Sequence, residues 1–386
     1  MVLPDYTGGG IVNLMSSICA ALGAPENGYP QANLLTDTRL GSARNILLLV
    51  IDGLGYEYLR TRGDGSVLSR YMRGKLTSVC PSTTASAIPT FLTGVAPQQH
   101  GYTGWFTYFK ELADVLAVLP FRPRHGGESL ASAGFSPTGL CGAQPLFSRL
   151  DVESTAIMPA WIADSDFNRA FNGPAASRPY SDLKGFFKAI KASIKRNSKR
   201  HYIYAYWPQF DSLAHAYGVG SEQVYQHFQQ LETGLAQLLR ALAGSDTALI
   251  LTADHGFIDT TEERTIYLHD HPELQQTLLL PLCGEPRLTF CYVHPHAEER
   301  FKDYIETELS HGMTLLPSSQ LLDEGWFGAG ERFSALSDRI GHYTLVMKEN
   351  YKIKDWIMGE RQYIHLGVHG GVSSAEMYVP LVYCEL

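Results

Sequence analysis

No Cys-x-x-Cys pair occurs in the chain; its six cysteines stand apart at 19, 80, 141, 283, 291 and 384. That spacing offers neither a zinc ribbon nor a thioredoxin-like redox site. Basic residues are in deficit, 31 Lys and Arg against 39 Asp and Glu, giving a formal net charge of −8 and a pI of about 6.0. Without surplus cations to neutralise phosphates, binding of a nucleic-acid polymer or an acidic membrane is not expected. No uninterrupted apolar run approaches the ~18 residues of a membrane span. Residues 11–22 are apolar but have no Lys or Arg before them, so they read as an amphipathic helix and not a secretory signal. Reduced thiols and a cytoplasmic address are the resulting expectation. Repeats and low-complexity tracts are absent too, and 45% of the 386 residues are apolar, enough for a large core without staples.

What the chain does contain is an alternation of short apolar runs and helical patterns. Residues 45–52 (NILLLVID), 201–207 (HYIYAYW) and 247–252 (TALILT) read as buried strands, and 76–80 (LTSVC) as a further one. Helical spacing follows from about Thr84, over 181–196 and over 221–243. Nearly continuous apolar strands between helices predict an α/β fold: a mostly parallel sheet with helices on both faces. Residues 1–386 read as one catalytic domain. Within it, the aromatic, Pro- and Gly-rich stretch 103–180 is expected to be a lid or insertion. Residues 256–365 are expected to form a smaller subdomain, with strands at 288–294 and 343–347 and a helix at 296–309.

Polar residues cluster where the strand-like runs end: Asp52, Asp211 with His215, Asp254 with His255, and His369 within Gly-Val-His-Gly-Gly. In an open α/β sheet, ligands collect beyond the carboxyl ends of the strands. Carboxylate and imidazole are good zinc ligands, so these distant residues can converge on metal. Each has a plainer reading alone: Asp52-Gly53 as a turn, His369 as a structural histidine. Asp254-His255-Gly256 stands out, because adjacent carboxylate and imidazole at a strand end rarely serve packing. Asp211-x-x-x-His215 suits one face of a helix, although a loop could present both. Thr84 lies in Cys80-Pro-Ser-Thr-Thr-Ala-Ser-Ala, leaving a strand and entering a helix, where backbone N–H groups face an incoming anion. Its hydroxyl needs activation, which a coordinated metal supplies. The alternative is that Ser82, Thr83 and Thr84 only cap a helix, one that Pro89 would disturb.

In this order, Asp52-Gly, Pro81-Ser-Thr-Thr84 with Thr93-Gly94 and His100-Gly101, Asp211-x-x-x-His215, Asp254-His255-Gly256 and His369-Gly resemble a known family. It is the type I phosphodiesterase and nucleotide pyrophosphatase branch of the alkaline phosphatase superfamily. The resemblance implies an alkaline phosphatase-like core and two zinc ions, with manganese as the other choice. It places one metal on Asp211, His215 and His369 and the other on Asp52, Asp254 and His255, with Thr84 bridging them as nucleophile. The implied reaction is a double displacement on a small phosphate ester or anhydride through a phosphothreonine. The Ala85 N–H would serve as an oxyanion-type donor. One departure is Trp105, near the place where nucleotide-cleaving relatives carry asparagine; an indole N–H gives only one hydrogen bond. Tyr102, Trp105, Phe106, Tyr108 and Phe109 could form a platform for an apolar leaving group, or simply pack as core or lid. A phosphomonoesterase, a phosphonate hydrolase and a catalytically silent binding protein are the rival readings.

Other features are weaker. Gly53-Leu-Gly55 lacks the third glycine of a dinucleotide fingerprint, where Tyr58 stands. Cys80-Pro-Ser departs from the sulfatase pattern, leaving Cys80 as a buried strand residue. His269-Asp-His271, His294 and His296 read as solvated or capping residues. His365 competes with His369 as a ligand, and glycines beside His369 favour the latter. The basic run 191–200 reads as an exposed helix end.

Overall fold

The run Asn45–Ile51 forms a strand with every residue buried. The larger core is built around it in a computed structural model that describes residues 1–195, 199–360 and 362–386. Parallel neighbours flank it, His201–Trp207 on one side and Thr247–Thr252 on the other. Glu153–Pro159 and then Ala176–Tyr180 extend the first side in parallel. On the second side Tyr378–Glu385 runs antiparallel, followed by Met72–Thr77 at the edge. The result is a mostly parallel, seven-stranded sheet. The three strands read from apolar runs are the three central ones, because a strand covered on both faces needs apolar residues at every position.

Helices follow the same pattern. Glu222–Leu242 starts where the Ser221 side chain accepts from the Val224 N–H, and buries Leu231, Leu235, Leu238 and Leu242. Each such leucine contributes about 1.5–3 kcal/mol on burial. Leu183–Lys195 is the other long helix; the expected end at Arg196 and part of the basic run lie outside the described residues. Ile11–Leu22 is a helix, and no described helix is long and apolar enough to cross a membrane.

A second seven-stranded sheet follows the order Met313–Pro317, Tyr343–Met347, Leu288–Cys291, Cys283–Glu285, Phe106–Phe109, Asp114–Ala117, Arg122–Pro123. The stretch 103–180, expected as a lid or insertion, contributes to it. Phe106 pairs with Gly284, so residues 106–123 extend the sheet of the 256–365 region. Glu153–Pro159 and Ala176–Tyr180 belong instead to the main sheet. The stretch 103–180 is therefore shared between two sheets, its strands too short and too Pro-broken to announce themselves by periodicity. Boundaries shift as well: the strand expected at 76–80 is Met72–Thr77, and the helix expected at 296–309 is Glu298–Tyr304 continuing as wider turns through Leu309.

Candidate active site

The carboxyl edge of the main sheet gathers the predicted residues. Asp52 directly follows its strand, and its N–H donates to the Trp207 carbonyl at 2.9 Å. Gly53 then turns with φ 75°, and a Cβ there would sit 2.5 Å from the Phe257 ring. The turn aims the Gly53 N–H at Asp254 Oδ1, 3.0 Å away, which also accepts the His255 N–H at 3.0 Å. Asp211 and His215 lie one turn apart on the helix Gln209–Tyr217, with His215 Nε2 3.3 Å from Asp211 Oδ1. The one-face reading of that spacing holds. His369 follows the short strand Gly367–Val368, which pairs antiparallel with Ile258–Asp259. Beside it Gly370 has φ 105°, and a Cβ there would meet the Glu285 side chain at 2.6 Å.

The protons of this pocket can be assigned from their partners. His255 Nδ1 lies 3.0 Å from the Gly256 carbonyl, His215 Nδ1 2.8 Å from Gly367 and His369 Nδ1 3.2 Å from Ser82. A carbonyl only accepts, so each Nδ1 carries a proton, and in the neutral ring each Nε2 then presents a lone pair. The His215 and His369 Nε2 atoms lie 3.2 Å apart, with Asp211 Oδ1 3.3 and 3.7 Å from them. His255 Nε2 lies 3.4 Å from both Asp52 Oδ1 and Asp254 Oδ2. Those three carboxylate oxygens are buried without a hydrogen-bond partner. Converging lone pairs repel unless a cation sits among them, so this donor set fits metal. His255 also lies within 4.8 Å of the Asp211 and His369 donors, so the two groups adjoin. Burial, then the charges of Asp254 and Asp211, push the Asp52 pKa well above the usual carboxylate range. A bound cation would oppose that.

Thr84 opens the helix Thr84–Thr93, which continues through Pro89. The capping alternative fails locally, since the N-cap Thr83 makes no side-chain cap and Ser82 Oγ donates to the Gly371 carbonyl at 2.7 Å. The Thr84 hydroxyl instead lies 3.1 Å from His255 Nε2, at the junction of the two groups. Ala85 is buried in the first turn, where backbone N–H groups have no acceptor within the helix.

Two supports were not legible in sequence. The Tyr206 hydroxyl, on a strand read as core, donates to Asp52 Oδ2. Such a partner fixes a ligand's orientation, so Tyr206→Phe is expected to weaken metal retention by about 10- to 100-fold. Competition against a chelator measures this, and unchanged retention would reduce the hydroxyl to space-filling. The other support is the buried pair of Arg287 with Glu376, at 2.8 and 2.9 Å. Glu376 also accepts the Gly371 N–H at 2.8 Å and so fixes the loop after His369. His100, part of the sequence motif, is structural: it is buried and accepts the Tyr102 N–H at 3.1 Å.

A cleft of about 570 Å³ opens in front of Thr84, Asp211, His215 and His369. Trp105 and Phe106 line it, and the Trp105 backbone N–H donates to Glu285 Oε1 at 2.7 Å. Burial pushes the Glu285 pKa up to about 7. The substrate-contact expectation for Tyr102 is corrected. Tyr102 is fully buried, its ring packed edge-on against Phe167 and Phe171 and its hydroxyl on the Pro137 carbonyl. Tyr108 packs on Tyr292, and Phe109 lies under Arg339, so most of the supposed platform is core. His365 stacks 4.1 Å from His215 but joins no metal-type group among the described residues; neither do His269, His271, His294 or His296.

A mostly parallel sheet carrying such an Asp–His pocket and a helix-starting threonine at its carboxyl edge defines an alkaline phosphatase-like hydrolase. The chain belongs to the type I phosphodiesterase / nucleotide pyrophosphatase family, which matches residues 46–372. Its members hydrolyse phosphoric esters and anhydrides. Among solved structures it is similar to murine ectonucleotide pyrophosphatase / phosphodiesterase 5, at 18% identity and TM-score 0.64, over 87% of each chain. It is also similar to phosphonoacetate hydrolase from Sinorhizobium meliloti, at 17% identity and TM-score 0.62, over 88% of this chain and 90% of that one. At such identities the likeness is one of fold. No curated protein matches significantly.

Proposed function

We propose that the chain is a dimetal phosphodiesterase or nucleotide pyrophosphatase that works through a phosphothreonine on Thr84. The observation that carries this is the Thr84 hydroxyl at the junction of two Asp–His groups whose donor atoms converge within 4.8 Å. Asp211, His215 and His369 would hold one cation and Asp52, Asp254 and His255 the other. Zinc suits three imidazoles, and manganese is the second choice. When bound, such a pair lowers the pKa of a hydroxyl and stabilises charge on the attacking and leaving oxygens.

The residues of the chain do the rest. Thr84 Oγ, having lost its proton, forms a bond to phosphorus as the bond to the leaving oxygen breaks. The departing oxygen takes up a proton, and water then attacks the threonine-linked phosphoryl group, releasing a phosphomonoester, giving a proton to solvent and restoring the hydroxyl. Helix-start N–H groups, that of Ala85 among them, face the phosphoryl oxygens. Trp105, at the cleft wall, offers an indole donor. A murine neighbour is described as an inactive threonine-to-alanine variant in complex with AMP, which supports a threonine role and a nucleotide-type substrate. A cytoplasmic address, with the six cysteines as thiols, is part of the same proposal.

A substrate panel tests the reading on zinc-loaded protein. Bis-p-nitrophenyl phosphate and nucleotide phosphodiesters should be cleaved with kcat/KM at least roughly tenfold above p-nitrophenyl phosphate and phosphonoacetate, a margin that a few site contacts supply. Preference for the monoester or the phosphonate would transfer the chain to a sister activity on the same core. Metal uptake with no turnover on any of them would leave a binding protein.

A further inference from the structure

The cleft is not finished by its metal-type groups. Away from Thr84 its wall is a row of rings: His215 to His365 at 4.1 Å, His365 to Tyr363 at 4.6 Å, and Tyr363 edge-on to Trp356 at 5.7 Å. The Lys354 ammonium sits over this row, 4.3 Å from the Tyr363 ring centre and 4.6 Å from that of Trp356. An ammonium has three N–H donors. The hydrogen bond that the structure gives Lys354 is one long contact, 3.4 Å to the Tyr363 carbonyl. The acidic residues nearby are engaged elsewhere: Asp355 and Glu360 both grip the buried Arg124, at 2.7 and 2.9 Å. Lys354 therefore makes no ion pair among the described residues. Burial, reinforced by Lys352, pushes its pKa down to about 8. Arg122, exposed on the same cleft, likewise makes no ion pair among the described residues.

Asp355 and Glu360 line the same cleft and attract Lys354 from a distance, but with one long hydrogen bond the ammonium keeps donors to offer an incoming anion. We propose that Lys354 is the anion subsite for the leaving group: the part of the substrate that departs from phosphorus ends in a carboxylate or a phosphate, and Lys354 binds it. This rests on the hydrolase reading above and adds to it a preference, among the phosphate esters and anhydrides cleaved, for those whose leaving group carries a second negative charge. Phosphorus lies at Thr84, and the second anion lies along the ring row. Cation–π contact with Trp356 and Tyr363 holds the ammonium in place before the substrate arrives.

Direct binding tests this without turnover. Zinc-loaded protein is titrated calorimetrically with butylphosphonate, 4-phosphonobutyrate and butane-1,4-diphosphonate. A charge-assisted hydrogen bond in a partly buried site predicts at least roughly tenfold tighter binding for one or both doubly anionic ligands. Whichever gains more identifies the terminal group as carboxylate or phosphate. K354M should abolish the gain and K354R should keep most of it, while circular dichroism confirms that both fold. Equal affinities for all three ligands, or a gain that survives in K354M, overturn the subsite. Loss of the phosphodiesterase reading has a different signature: the binding preference is present but no ester in the panel is cleaved.

Discussion

Replacing Thr84 by alanine is expected to lower kcat/KM by on the order of 10⁴-fold or more, with fold and metal content preserved. At about 1.36 kcal/mol per tenfold, that is roughly 5 kcal/mol of lost transition-state stabilisation. The size follows from what the residue is asked to do. In the proposed reaction Thr84 forms a covalent bond to phosphorus, and a methyl group leaves no oxygen for that bond; only slow attack by water remains. The structure argues that the loss would be chemical and not structural. Thr84 follows the cap residue Thr83 in its helix, and among the described residues its hydroxyl meets His255 Nε2 at 3.1 Å. Thr84→Ser keeps an oxygen at the same place and should retain a substantial part of the activity. Steady-state kinetics on bis-p-nitrophenyl phosphate, with metal analysis of the same samples, decide the matter. Turnover by Thr84→Ala within tenfold of the parent would remove the nucleophile role.

Stripping the metals should have an effect of similar size. Exhaustive chelation is expected to abolish turnover, and restoring about two zinc per chain should recover it. It should also lower the melting temperature by a few degrees. A ligand at a hundredfold its Kd stabilises the folded state by about 2.7 kcal/mol, an energy that a chain of this length converts into a modest shift. The direction follows from the pocket. Asp52 Oδ1, Asp211 Oδ1 and Asp254 Oδ2 are buried without hydrogen-bond partners, so the metal-free protein holds mutually repelling carboxylates. Calorimetric melting with and without chelator, alongside metal analysis, provides the measurement. Full activity at negligible metal content would show that the pocket serves another purpose.

How much of this could be read in advance depended on where the information resides. Asn45–Ile51, His201–Trp207 and Thr247–Thr252 were legible because strands buried on both faces must be apolar throughout. Glu153–Pro159, Ala176–Tyr180 and Tyr378–Glu385 were not. Each contains proline, which reads as a strand breaker, and polar residues interrupt their patterns. Of the two aromatics offered as substrate contacts, Trp105 lines the cleft, whereas Tyr102, three residues earlier, does not. Both are aromatic in an irregular segment, and only the packing of Phe167 and Phe171 reveals that one of them faces inward.

Residue type and order by themselves determined the family, the sheet core and the side chains with chemistry to offer, since strand ends and helix starts are local features that carry their own signals. Tertiary structure alone decided which partners those side chains meet. That Tyr206 donates to Asp52, that Arg287 and Glu376 fix the loop after His369, and that Asp355 and Glu360 pair with Arg124 and not with Lys354 on the cleft all four line are matters of distance. Hydrogen bonds and ion pairs act over a few ångströms in space, and a sequence does not record which remote residues the fold brings that close.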